Sequence, residues 1–116
     1  MKLEMKQRTK RFAIDVWRLC SSLPHSREFN CYVNQLLRCS SSVAANYMAV
    51  GRTKSKPDFI NKLKIVEEEG DESQFFLEVI EEINSNQELT TEIKRLIKEA
   101  DEIVAIGVAS LKTSRS

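Results

Sequence analysis

The residues of this 116-residue chain best suited to meet a ligand are cations and hydroxyls, not nucleophiles. Lys6, Arg8, Lys10 and Arg11 crowd the amino-terminal segment, and Arg52, Lys54 and Lys56 alternate through the stretch between Gly51 and Pro57. Cations at that density attract phosphate groups through their field and through counterion release, without reading base sequence. A second polar group, Arg38, Ser41, Ser42 and Asn46, precedes an acidic run, Glu67, Glu68, Glu69, Asp71 and Glu72. Consecutive acids point around a helix, so most of the run faces water. Glu69 and Glu72 are placed to reach an interhelical space, where a carboxylate needs hydrogen bonds or a counter-charge. Arg38, Ser41, Ser42 and Asn46 are the expected partners, in a polar cluster that joins two helices and fixes their register.

Reaction chemistry has little to work with. The sole histidine, His25, lies in the turn Pro24-His25-Ser26, away from any cysteine that it could activate. Cys20, Cys31 and Cys39 are an odd number without close pairs, a poor disulfide framework, and are expected to be reduced. Cys20 and Cys39 fall within apolar patterns, where a thiol packs as a small hydrophobe. There is no glycine-rich phosphate loop, no Gly-x-Ser-x-Gly elbow, no Cys-His spacing for zinc and no Glu-x-x-His pair of the kind that holds two irons in a helical bundle. We therefore expect no catalytic residues, no metal, no cofactor and no enzymatic activity.

The elements that must position the polar groups follow from apolar spacing. At 41% hydrophobic and 30% charged, with three Gly and two Pro, the composition fits a compact helical protein and excludes a disordered or fibrous one. Four segments alternate steps of four and three. The first line is Met5, Thr9, Phe12, Val16, Leu19, Leu23, and the second is Phe29, Val33, Leu36, Ser40, Val43, Tyr47, Val50. The third is Phe59, Leu63, Val66, Gly70, Ser73, Leu77, Ile80, and the fourth Leu89, Ile93, Leu96, Ala100, Ile103, Gly107. Trp17 and Ala13 are expected to widen the first stripe, Tyr32 and Leu37 the second, and Ile60, Phe76 and Ile83 the third. Small residues around the second line, Cys39 to Ser42 with Ala44 and Ala45, would let another backbone come close.

Breakers fall between the lines. Pro24 ends the first helix and Ser26 caps the second; Gly51, in a left-handed conformation, closes the second; Ser55, Pro57 and Asp58 open the third. Ser85 and Glu88 have capping-box spacing at the start of the fourth. The expected helices are 4–23, 27–50, 57–83 and 87–111, with Lys112 to Ser116 frayed. Short connections favour antiparallel neighbours, so the fold class is all-α, an antiparallel up-down-up-down four-helix bundle, in one domain over 1–116. The stretch Ile103 to Leu111 is too short to cross a membrane and the amino terminus has no apolar secretory core, which points to the cytoplasm.

Net charge is only +1, yet the halves oppose each other: residues 1–64 hold 13 Lys and Arg against 4 Asp and Glu, and residues 65–116 hold 5 against 13. Basic helices one and two would then pair with acidic helices three and four, within a chain and between chains.

The ordered stretch from Gln35 to Ser73, QLLRCSSSVAANYMAVGRTKSKPDFINKLKIVEEEGDES, resembles the signature of the four-helix bundle proteins first associated with intervening sequences in bacterial 23S ribosomal RNA genes. Gln35, Leu36 and Arg38, then Ala45 and Asn46, then Asp58 and Phe59, then Ile65 to Glu69 with Asp71, Glu72 and Ser73 carry the likeness. It covers about a third of the chain; Phe12, Ala13 and Val16 agree more loosely. The resemblance implies a cyclic homopentamer without catalytic activity and with an association to RNA. A related bundle in diversity-generating retroelements binds nucleic acid beside a reverse transcriptase. Met48 departs from the family pattern, where Arg is frequent, and Ala44 and Gly70 replace what are commonly Gly and Ala.

Two functions remain open on the sequence. One is an oligomer that binds RNA or another nucleic acid through Arg52, Lys54 and Lys56 repeated around a ring, with Lys6, Arg8, Lys10 and Arg11 adding to the field. The other is a structural adaptor that docks a protein partner and leaves the basic hinge solvated. Trp17, Phe29, Tyr47, Phe59 and Phe76 are expected to pack in the core, which leaves few rings for stacking on bases.

Overall fold

The computed structural model describes residues 3–115 and consists of four helices: α1 (Leu3–Ser21), α2 (Arg27–Val50), α3 (Lys56–Ile83) and α4 (Thr90–Arg115), with a 3-10 turn, Gln87–Leu89, leading into α4. The molecule measures 45 × 23 × 20 Å. The 28 residues of α3, at 1.5 Å per residue about 42 Å, run its whole length.

Contacts crossing between helices fix the topology. Glu81 pairs with Lys94, while Gly70 meets Val104 and Gly107 meets Val66, so α3 and α4 run in opposite directions. Arg8 pairs with Glu99 and Asp15 with Arg95, which sets α1 antiparallel to α4 and closes the bundle. α1 also packs on α2, and α2 on α3, so each helix has two neighbours.

All four apolar lines face inward. Every position of the first line is buried, and in the other three only Phe29, Val33, Phe59 and Leu89, near the helix starts, are half-buried. A main cluster fills most of the length, and a smaller one, Val50, Leu63 and Leu111 with Phe59 and Ile60, sits beneath the α2–α3 hinge. Polar residues on the lines are satisfied locally. Thr9 donates to the Met5 carbonyl at 3.0 Å, and Ser73 donates to the Glu69 carbonyl at 2.8 Å while its oxygen lies 3.3 Å from Cys39 Sγ.

Ser26 and Ser55 cap α2 and α3, accepting hydrogen bonds from the amides of Phe29 and Asp58. Other local expectations are corrected. α1 ends at Ser21, and Ser22 and Leu23 continue as a tighter turn onto the carbonyls of Leu19 and Cys20, because Pro24 disfavours helical backbone in the residue before it. Gly51 has φ −71°, right-handed. The last carbonyls of α2 are met instead by the Arg52 amide on Ala49 and the Thr53 hydroxyl on Val50. What Gly51 contributes is room, since a Cβ there would lie 3.0 Å from Lys6 Nζ.

Ser85 caps nothing. The Asn84 side chain donates to the Asn86 carbonyl and accepts from the Asn86 amide, and the Asn86 side chain accepts from the Glu88 amide, the donor assigned to the serine. α4 continues to Arg115, beyond Leu111 and through most of the segment expected to fray; Ser116 lies outside the described residues.

Trp17 is 62% exposed, contrary to its expected place in the core. One step along a helix turns 100°, which carries the ring away from buried Val16. Tyr32 and Ile83, expected to broaden the stripes of α2 and α3, are also exposed.

Candidate nucleic-acid interface

Antiparallel packing brings the start of α1, the α2–α3 hinge and the end of α4 to one end of the bundle. Lys6 is half-buried with its ammonium beside Gly51, at the carboxyl end of α2, where a cation complements the helix dipole. Arg52, Lys54 and Lys56 are exposed above it. Among the described residues, none of these four takes part in an ion pair.

An open cavity of about 550 Å³ lies between the hinge and the end of α4, lined by Thr53, Lys54, Ser55, Lys56, Phe59, Thr113 and Ser114. Its donors are unequal. Thr53 gives its hydroxyl proton to the last carbonyl of α2, and Thr113 and Ser114 give theirs to carbonyls one turn back in α4. Ser55 uses its oxygen as a cap acceptor, so its O–H is left to donate, beside the ammonium groups of Lys54 and Lys56. Lys56 also borders a second cavity of about 450 Å³ with Pro57, Ile60, Asn61 and Lys64. The sequence pattern does not single out Lys64, which looks like one charge on an amphipathic helix, or Lys112, which is distant in the chain but comes to the hinge end on α4. Asp58, in the first turn of α3, is the one acid within the hinge segment.

The other predicted cations separate from this end. Arg8 makes a two-pronged pair with Glu99, at 2.7 and 2.8 Å, and lies 3.6 Å from Glu102. Its pKa is raised by the Glu99 bond, and Glu99 is held below the usual carboxylate range by Arg8. Arg8 is thus spent on closing α1 against α4. Lys10 and Arg11 are exposed on α1 and line a shallow depression with Glu4, Gln7, Arg8 and Ile14.

The polar cluster also divides. Arg38 spans α2 to α3, 3.2 Å from Glu69 and 2.6 Å from Glu72, so the register link consists of one guanidinium and two carboxylates. The Asn46 amide turns back along α2 to the Ser42 carbonyl and hydroxyl, at 2.9 and 3.0 Å, and Ser41 is exposed. Neither the Asn46 amide nor the serine pair is drawn to the acids, because Arg38 supplies the counter-charge and Asn46 finds its partner one turn away. Cys39 beneath them is buried, and burial raises its pKa; Cys20 is likewise pushed up to about 11 by burial, which leaves both thiols poor nucleophiles. No group of three or more potential metal ligands occurs among the described residues. No helix in the described residues is long and apolar enough to cross a membrane.

The solved crystal structure of a protein of unknown function from the S23 ribosomal protein family of Bacteroides thetaiotaomicron VPI-5482 is similar in fold. The two align with a TM-score of 0.82 at 24% identity, over 93% of this chain and 95% of that one. No curated protein matches the chain. The model of the 23S rRNA-intervening sequence protein family matches residues 1–108, which include the whole stretch of Gln35 to Ser73 and every helix but the end of α4. On that match the chain belongs to the 23S rRNA-intervening sequence protein family.

Proposed function

We propose that this protein is a non-catalytic, oligomeric binder of RNA that holds the phosphate backbone at the hinge end of its bundle. The observation that carries this reading is the convergence of Lys6, Arg52, Lys54 and Lys56 with Lys64 and Lys112 at one end, while Arg8 is consumed by Glu99 and Glu102 and Lys10 and Arg11 lie apart on the outer face of α1. Single phosphate contacts are weak at physiological salt, so one hinge would hold RNA loosely and several copies in an oligomer would hold it by avidity. Recognition is by backbone and shape. The hinge carries no exposed ring on which a base could stack, since Phe59 is half-buried in the small cluster below it.

The test is fluorescence anisotropy of a labelled 23S-type RNA hairpin. Arg52→Glu, Lys54→Glu and Lys56→Glu combined should reduce affinity at least tenfold, with helix content and oligomer mass unchanged. Undiminished binding by that variant would remove the hinge from the account. Absence of binding by the wild-type oligomer at low salt would favour a structural adaptor that docks a protein.

A further inference from the structure

Two outward faces remain unexplained by either the core or the hinge. On α3, Phe75, Val79 and Ile83 recur every four residues on a line distinct from the buried one, and Phe75 and Ile83 are 57% and 43% exposed. They form the floor of a shallow groove of about 440 Å³ with Glu78 and Glu82. Phe75 is held in place. Its ring stands edge-on to Phe76 at 5.2 Å, and Phe76 in turn lies 6.4 Å from Tyr32 of α2. On α1, Ile14 and exposed Trp17 form a second apolar ridge, beside Lys10 and Arg11. Among the described residues Lys10, Arg11, Glu78 and Glu82 belong to no ion pair. Each ridge is therefore apolar with two charges of one sign beside it that belong to no ion pair, basic on α1 and acidic on α3; Glu4, at the far end of the α1 depression, is the one acid that lines it.

We infer that the α1 ridge of one copy packs on the α3 groove of a second copy, Trp17 and Ile14 against Phe75, Val79 and Ile83, with Lys10 and Arg11 facing Glu78 and Glu82. Like faces repel: two α3 grooves would bring four glutamates together, and two α1 ridges four cations. α1 and α3 are not neighbours in the bundle, so the two faces of one chain cannot meet each other. A contact between unlike faces leaves one of each free on every pair, so association continues beyond two chains, into a ring where the rotation between copies closes. The inference rests on the oligomeric part of the proposed function and not on its RNA part, so it is tested without nucleic acid.

Light scattering after size exclusion, at high micromolar protein, is the experiment. The wild type should contain more than two chains, and Trp17→Asp and Phe75→Asp should each fall to the mass of one chain with helix content retained. Mixed in equal amounts, the two variants should form a species of two chains, because each keeps the face the other has lost. Glu78→Lys with Glu82→Lys should also dissociate the oligomer, without touching an apolar residue. A monomeric wild type would overturn both the oligomer and this contact. Variants that keep the wild-type mass, or that stay monomeric when mixed, would overturn the contact alone and leave the oligomer to be built from other surfaces.

Discussion

Gly70 illustrates how much a single position can decide. A Cβ at Gly70 would stand 2.6 Å from Val104 Cγ2, and a β-branched valine in a helix has little rotamer freedom to withdraw. At Gly107, on the same α3–α4 seam, the nearest atom would be Val66 Cγ1 at 3.9 Å, an ordinary contact. Opposite outcomes follow. Gly70→Ala should lower stability by about 1–3 kcal/mol through overpacking, whereas Gly107→Ala should raise it by up to about 1 kcal/mol through helix propensity. Urea denaturation of the two variants checks the pair.

Glu99 gives a pH dependence with a defined sign. Its folded-state pKa is depressed, chiefly by the Arg8 hydrogen bond, so its contribution is complete above the unfolded pKa and is lost as pH falls through the folded one. Glu99→Gln should therefore flatten the acid limb of a melting-temperature profile and leave Arg8 with only the longer pair to Glu102 at neutral pH. An unchanged acid limb would show that the pair contributes nothing to folding.

At the scale of the element, the apolar lines were legible because a helix repeats its inward positions so regularly that Phe12, Leu36, Leu63 and Leu96 could be placed in the core by counting. Positions beside the lines were less legible. Trp17 and Phe76 are each one step from a core position, yet the first turns to water and the second packs under Tyr32, and spacing alone does not say which flank a neighbouring helix covers. Phe75, Val79 and Ile83 did leave a signal, a second line at steps of four, masked by the stronger line through Leu77 and Ile80. Caps were readable where a lone serine preceded a helix, as at Ser26 and Ser55, and not at Ser85, where the neighbouring Asn86 takes the Glu88 amide. Ser55 links element to site, since its oxygen holds the first turn of α3 and its hydroxyl faces the hinge cavity. Ser55→Ala should cost about 1 kcal/mol, and amide exchange should quicken in the first turn of α3 ahead of the rest. Uniform acceleration along α3 would instead mark a global loss of stability.

For the molecule as a whole, the opposed charges of the two halves resolve into a pattern that composition could not supply. Arg8 with Glu99 and Arg38 with Glu69 and Glu72 join the basic half to the acidic half, as the charge balance suggested. Arg95 with Asp15 runs the other way, and Lys94 with Glu81 lies wholly within the acidic half. Among the described residues outside ion pairs, Arg52, Lys54 and Lys56 gather at the hinge, Lys10 and Arg11 lie on the outer face of α1, and Glu78 and Glu82 on that of α3. The hinge cluster was legible as the alternating cations Arg52, Lys54 and Lys56. Lys6 was named among the cations, but its place beside Gly51 and the arrival of Lys112 were not legible, because they depend on which chain ends the topology brings together.

The measurement that bears most directly on the central claim is the salt dependence of hairpin RNA binding by the wild-type oligomer, followed by Lys54→Ala and Lys56→Ala singly. Affinity for duplex RNA should fall by roughly 0.9 log unit per contacted phosphate for each decade of salt, taking the duplex DNA value, and each alanine should reduce that slope by about 1 for every copy in contact. A slope that neither substitution alters, or an affinity insensitive to salt, would contradict a phosphate-binding hinge.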